Sequence, residues 1–488
     1  MKQNGVIHFL GIDLGTAAVK ALVTRPDGSV VARGTAPVAL FHPAGGGVEQ
    51  DIEEIWAATL RAAGDALAGC DAASIRAIGV SSQGGALQVL DAAGGPCGPV
   101  ISWLDGRGAE YDRAVNDELG RAWFVKRTGH AGSSMSIGQI LRLRAEGVLR
   151  PDSRIGFVGD QVVKRLCGVA AHDATSLSLA MLYNPAKRMA DPDVLSRLQI
   201  AEAQLPALLA PRATAGRLLD GPAQHLGLPP GLPVSPAIHD QYTAALGATA
   251  LSPGDVMVGT GTAWVLLAAS GELAPPVTGG AFVCTHVLDG MYGQIISLRN
   301  GGSSIAWARD ALGLGSLGIA ECDALIDAIP PGSDGVRFWP FLAGSGEGLP
   351  GDTAGRFTGL RLAHTAPHLL RAVIEGLSCE LARYMRRATD AGLPLTRVVL
   401  CGGATRSTVT PRIIAAVTGL DVSCVNESDT SALGAAIIAR GLVEPGTSLA
   451  SLATSMKPDV RAVDPGAHHI EYRELFDEYL ESLPARKR

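Results

Sequence analysis

At 488 residues the chain exceeds the length at which a single hydrophobic core stops growing, so two large domains with a cleft between them are expected. Hydrophobic residues at 47% and charged residues at 18% exclude a disordered chain, while 61 glycines against 5% aromatics announce tight turns and close backbone approaches. A net charge of −6, with no basic run beyond Arg486-Lys487-Arg488, excludes a nucleic-acid binder.

The eight cysteines are scattered with no CxxC pair, so neither a zinc site nor a disulfide framework is signalled. The first residues run into Val6-Ile7-His8-Phe9-Leu10, too short and interrupted for a signal peptide, and no 18-residue apolar span follows. A cytoplasmic protein without a membrane partner is the expectation.

In chain order, the apolar run 6–12 is followed by Asp13-Leu14-Gly15-Thr16 and then by the apolar run 18–23, which predicts an opening hairpin with a second turn at Asp27-Gly28. Helices are expected over 52–68 and 109–119, and short strands over 75–80 and 155–158. Pro229-Pro230-Gly231 and Ser235-Pro236 mark a boundary region near residue 240, after which Asp240-Gln241 opens a small-residue helix over 243–248.

Residues 255–262, ending in Gly259-Thr260-Gly261-Thr262, lead into the apolar run 263–267 and repeat the design of strand, Gly-Thr turn and strand. Gly15-Thr16-Ala17 and Gly261-Thr262-Ala263 then hold equivalent places in two domains of one architecture, 1–243 and 244–488. The second half closes with helix 367–391, strand 397–401, Gly402-Gly403, helix 410–418, strand 421–425 and helix 431–440. That alternation means an α/β sheet.

A bound phosphate needs closely approaching backbone N–H groups and hydroxyl donors, and a magnesium ion needs a carboxylate beside them. Asp13-Leu14-Gly15-Thr16 supplies all three within four residues, although an aspartate that merely satisfies turn N–H groups would read the same way. A second Gly-Thr turn could hold the phosphates from the opposite side, and no GxxxxGK[ST] loop is present. Gly402-Gly403-Ala404 after a strand is either a plain turn or a place where backbone lies flat against a nucleotide. Asp240 is either an N-cap or, in a cleft, a base for a sugar hydroxyl.

The chain resembles the FGGY family of carbohydrate kinases over nearly its whole length, most closely the xylulokinases. The matching segments run in family order: 11–16, Val48-Glu49-Gln50-Asp51, 78–83, Trp103-Leu104-Asp105-Gly106-Arg107, His239-Asp240-Gln241, 259–262, 303–310, 338–360 and 402–407. The resemblance implies an α/β fold of two actin-like, ribonuclease-H-like domains with a catalytic cleft between them. It also implies ATP- and Mg2+-dependent phosphorylation of a hydroxyl of a small sugar or polyol.

By the same resemblance Asp240 is the catalytic base, and Asp13 with Asp240 attends the metal. Thr16 and Lys20 meet the phosphates from one domain, and Thr260, Gly261 and Thr262 from the other. Gly302, Gly402, Gly403 and Ser407 line the nucleotide, while Gln83, Gly84, Gly85, Trp103, Asp105, Asp240 and Gln241 face the sugar.

Where xylulokinases carry Gln-Met-His-Gly and glycerol kinases Gln-Arg-Glu, this chain reads Gln83-Gly84-Gly85-Ala86. The two glycines are expected to leave space in the sugar pocket and to make D-xylulose a poorer substrate than another ketose or polyol, such as ribulose, erythritol or glycerol.

A Rossmann dehydrogenase is excluded because residues 11–20 lack GxGxxG. A non-catalytic sensor on the same fold would be expected to lose Asp13, Asp240 or a Gly-Thr turn, and all are present. His468-His469 is expected on a solvated surface, and the glycine-rich segment 344–348 lacks the strand–helix context of a dinucleotide loop. Oligomeric state is not legible, a homodimer being the commonest arrangement.

Overall fold

The opening hairpin forms because two apolar runs flank a turn of small residues: β1 (His8–Leu14) and β2 (Ala18–Thr24) pair antiparallel, with Asp13 opposite Lys20. The computed structural model describes residues 7–344, 349–351 and 353–484; the basic tail 486–488 and the segment 345–348 lie outside them. β3 (Val30–Pro37) extends the meander, and α1 (Ile52–Leu67) covers it. Asp51 caps α1 by accepting from Glu53 N at 2.8 Å. The alanines of α1 let it lie so low that a Cβ on Gly34 would sit 1.9 Å from Ala62 O.

β4 (Ile75–Ser82) runs parallel to β1. The helix expected over 109–119 is α2 (Ala109–Thr128), longer because the chain resumes helix after breaking at Gly120, whose φ of 70° and ψ of 165° suit glycine. After α3 (Val158–Cys167) come β5 (Ala171–His172), β6 (Ala207–Leu208) and β7 (Pro233–His239). The sheet order is β6-β5-β7-β4-β1-β2-β3, with the short strand Gly216–Arg217 pairing beside β7. α4 (Asp240–Gly247) leaves the end of β7.

The second sheet repeats this plan. β8 (Asp255–Thr260) and β9 (Trp264–Ser270) form the hairpin, and β10 (Phe282–Thr285) and β11 (Tyr292–Ser297) extend it antiparallel. After α5 (Gly302–Ala311) and α6 (Ala366–Asp390) come β12 (Arg397–Gly402), α7 (Val409–Thr418), β13 (Asp421–Val425), α8 (Thr430–Val443) and β14 (Val460–Ala462). The order is β10-β11-β9-β8-β12-β13-β14, with β12 parallel to β8 as β4 is to β1. The likeness of the two Gly-Thr turns thus extends to whole sheets.

Small residues let the halves meet backbone to backbone. α8, from the second half, lies on β1 and β4: a Cβ on Gly11 would be 2.0 Å from Ala432 O, and one on Gly79 1.8 Å from Ala435 O. α8 also crosses α4, where a Cβ on Gly434 would be 1.9 Å from Thr243 O. The expected division between 243 and 244 falls inside α4, and the second sheet begins at Asp255. On the other flank β10 docks on the first half, with Val283 N donating to His130 Nδ1 at 3.0 Å and Ser178 Oγ donating to Val283 O at 3.0 Å. The carboxyl ends of β1, β4, β7, β8 and β12 border the cleft, the usual ligand edge of such sheets. No helix among the described residues is long and apolar enough to cross a membrane.

Candidate active site

Asp13 stands near the end of β1 and accepts from Ser81 Oγ of β4 at 2.8 Å. That hydroxyl lies 2.8 Å from Thr243 Oγ1, which in turn donates to the backbone oxygen of Asp240 at 2.9 Å. Three elements therefore fix the two aspartates relative to each other. Burial pushes the Asp13 carboxyl up to about 7, with the Asp240 charge adding to the effect. Burial likewise pushes Asp240 up to about 7, against the pull of the Gln241 N–H groups. The Asp240 side chain keeps 25% exposure to the cleft.

Lys20 Nζ lies 2.9 Å from Asp429 Oδ1, and Arg33 joins Asp429 Oδ2 at 2.9 Å and Glu427 at 2.6 and 2.7 Å. The lysine expected at the phosphates is thus held by an acid from the other half of the chain. Lys20 and Arg33 pair with Asp429 and Glu427, while among the described residues Asp13 and Asp240 form no ion pair with a Lys or Arg, leaving an excess of two negative charges when both are ionised. A divalent cation would balance it. Among the described residues no group of three or more acids, histidines or cysteines could cage a metal alone. That donor set fits magnesium, which takes one or two carboxylates and completes its shell with water and phosphate.

Beside the carboxylates, Trp103 Nε1 donates to Thr16 Oγ1 at 3.0 Å, Thr16 Oγ1 donates to Gln83 Oε1 at 3.0 Å, and Gln83 Nε2 donates to Gln50 Oε1 at 2.9 Å. Gln50 Nε2 closes the ring on Thr16 O at 2.9 Å. The structure corrects the reading of Thr16 as a ready hydroxyl donor, because its hydroxyl hydrogen is engaged by Gln83 as the hairpin stands. Gln50, fully buried, was missed as a site residue; its signal was an uncharged polar side chain inside the 48–51 motif.

Asp105 is a second correction. Its side chain is wholly buried, accepting from Val48 N, Arg107 N and Gln139 Nε2 at 2.9 Å each and pairing with Arg107 Nη2 at 2.6 Å. Burial opposes its charge, but the Arg107 guanidinium and the surrounding N–H groups hold its carboxyl below the usual range. It braces the loop that carries Trp103, whose indole is exposed.

The space expected at Gly84 and Gly85 is a third correction. A Cβ on Gly84 would lie 2.4 Å from His239 Cδ2, and one on Gly85, where φ is +74°, would lie 3.1 Å from Met135 Sδ. Both places are filled from other elements. Gln241 stays within reach of the cleft, its Oε1 buried and without a partner among the described residues.

On the second half, Thr260, Gly261, Thr262, Gly302, Gly403 and Ser407 line one cavity of about 420 Å³. The N-terminus of α5 closes on the second turn, with Gly302 N donating to Gly261 O and Ser303 N to Thr262 O, both at 3.0 Å. Thr260 Oγ1 donates to Cys401 O at 2.7 Å and accepts from Ala404 N at 3.0 Å, tying the Gly402-Gly403 turn to β8. Gly402 makes that turn with φ 91°, a conformation other residues rarely adopt. Ser407 Oγ accepts from Thr410 N at 3.0 Å and donates to Asp323 Oδ1 at 2.7 Å, so its hydroxyl is engaged. Asp323 and Ile326 also line the cavity from a helix, Ile319–Asp327, that carries no motif in the sequence.

Two like sheets, each offering a Gly-Thr hairpin to a cleft that holds Asp13 and Asp240 beside a cavity of the second half, define a phosphotransferase of the actin-like, ribonuclease-H-like kind. The N-terminal domain model of the FGGY family of carbohydrate kinases matches residues 8–247, and the C-terminal domain model matches residues 256–440. The chain belongs to this family, whose members phosphorylate carbohydrate hydroxyls. It is 30% identical to a glycerol kinase of Gloeobacter violaceus over 88% of this chain and 87% of that one. To a xylulose kinase of Klebsiella pneumoniae it is 28% identical over 97% and 99%. The crystal structure of xylulose kinase from Rhodospirillum rubrum superposes with a TM-score of 0.88 at 24% identity, covering 97% and 98%.

Proposed function

We propose that the protein transfers the terminal phosphoryl group of ATP, with Mg2+, to a hydroxyl of a small ketose or polyol held between Trp103 and Asp240. The observation that carries this reading is Asp240 itself: a partly exposed carboxylate at a helix start, fixed beside Asp13 and with its proton affinity raised to about 7. A base with that affinity is matched to taking a proton near neutral pH.

Asp240 takes the proton from the attacking hydroxyl as the new oxygen–phosphorus bond forms and the bond to the leaving nucleotide breaks. Asp13 holds the metal side of the cleft. Gly261, Thr262 and Gly403 line the cavity that would take the nucleotide. Mg2+ held beside Asp13 would supply charge neutralisation for the transferring group.

The similar proteins include both glycerol and xylulose kinases, so the acceptor class rather than one sugar is the supported reading. With His239 and Met135 standing where side chains at 84 and 85 would lie, a ketose or polyol other than D-xylulose is the expected best acceptor. Screening tetritols, pentuloses, pentitols and heptuloses for acceptor-dependent ADP release tests this. D-xylulose as best substrate by a wide margin contradicts the substrate reading, and no acceptor-dependent release from any member contradicts the function.

A further inference from the structure

His239 ends β7 and is buried, and its ring is held on three sides. Its backbone N donates to Thr175 Oγ1 at 3.0 Å, and that hydroxyl donates to Asp173 Oδ1 at 2.6 Å. Tyr242 meets the ring edge-on at 6.1 Å. Below it lies Gly84, where any Cβ would come 2.4 Å from Cδ2 and 2.7 Å from Nε2. The imidazole therefore occupies the volume that a side chain at 84 would need.

Nε2 lies 3.2 Å from Asp240 Oδ1, while Nδ1 is buried with no partner among the described residues. A neutral ring carries one hydrogen, and among the described residues the acceptor nearest the ring is Asp240 Oδ1 beside Nε2, so a hydrogen on Nε2 is directed to the side of that carboxylate. The ring stands against Oδ1 of Asp240 on the β7 side. The imidazole thus adds a restraint to a carboxylate that the Gln241 N–H groups also hold.

We propose that His239 is the positioning residue for the proton-accepting carboxylate, and that position 84 is a glycine because the imidazole stands where its side chain would be. This rests on Asp240 being the base. The side chain missing from the 83–86 segment is replaced by one from β7, and sugar hydroxyls near the base meet an imidazole edge instead.

The test compares His239→Phe, which keeps a ring but no donor, with His239→Gln, which keeps a donor. His239→Phe should lower kcat about tenfold or more, the order expected for a misdirected catalytic group, with KM for ATP within about twofold of wild type. His239→Gln should recover part of that loss. Gly84→Ala should lower both Tm and kcat with His239 in place, and the Gly84→Ala, His239→Ala double variant should regain the lost Tm. Should His239→Phe fail to fold, His239→Ala assayed with added imidazole replaces it, and kcat should rise with imidazole concentration. Unchanged kcat in His239→Phe, an unresponsive His239→Ala, or Gly84→Ala at wild-type Tm and kcat would overturn the proposal. Asp240→Asn assayed alongside separates the two readings: retained turnover there removes the base itself, whereas its loss beside a fully active His239→Phe removes only the role of His239.

Discussion

Lys20 of the first hairpin lies 2.9 Å from Asp429, which stands at the N-terminus of α8 in the other half of the chain. With Arg33 on Asp429 and Glu427, the pair bridges the halves beside Asp13. If Lys20 also meets the nucleotide phosphates, Lys20→Ala removes a charge-assisted hydrogen bond worth roughly 1.5–3 kcal/mol. KM for ATP should then rise about tenfold or more, with Arg33→Ala leaving it near wild type. If Lys20 only joins the halves, the two variants lower Tm alike and leave KM unchanged.

The charge of Asp240 adds to the cost of ionising buried Asp13, and a divalent cation would relieve it. Asp13→Ala should therefore depress turnover and raise the Mg2+ concentration needed for half-maximal rate together. An unchanged Mg2+ dependence would assign Asp13 to the hairpin turn alone.

Asp240 works as a base only when ionised, and burial has moved its proton affinity up to about 7. Below that pH the carboxyl already carries the proton it must accept, so kcat/KM should climb as pH rises through about 7 and level off above it. A cation bound beside Asp13 favours the ionised form, so saturating Mg2+ should move the rising limb to lower pH. A profile flat from pH 5 to 8 at limiting Mg2+ would contradict this.

Gly403 lines the cavity of the second half, and a Cβ there meets only Thr260 O at 3.3 Å, so a larger side chain projects into open volume. Gly403→Val should weaken ATP binding while leaving sugar binding to the nucleotide-free enzyme nearly intact. Equal loss of both affinities would mean that the change acts on folding.

The two hairpins were legible because their signal is local, apolar runs on either side of a Gly-Thr turn, although the strands run His8–Leu14 and Trp264–Ser270 rather than over 6–12 and 263–267. The sheet-level repeat followed from them. What could not be read were contacts between segments distant in the chain. Asp105 looked like a sugar ligand because its partners, Val48 N and Gln139, are invisible from its own motif. Gly84 looked like empty space because the imidazole that fills it arrives from β7. Lys20 carries no sequence mark of its tie to Asp429, and Asp323 sits on a helix with no motif at all. α2 was cut short because Gly120 reads as a stop, whereas its left-handed φ only interrupts the helix.

The central claim is that Asp240 removes the proton of a sugar or polyol hydroxyl while ATP is the phosphoryl donor. Its most direct test is the acceptor-dependent rate of ADP formation in Asp240→Asn beside wild type, on the best acceptor of the panel, with ATP binding measured separately by calorimetry. The account predicts a fall in kcat of at least about a hundredfold, a typical general-base contribution, with ATP affinity retained. Turnover near the wild-type value would contradict it.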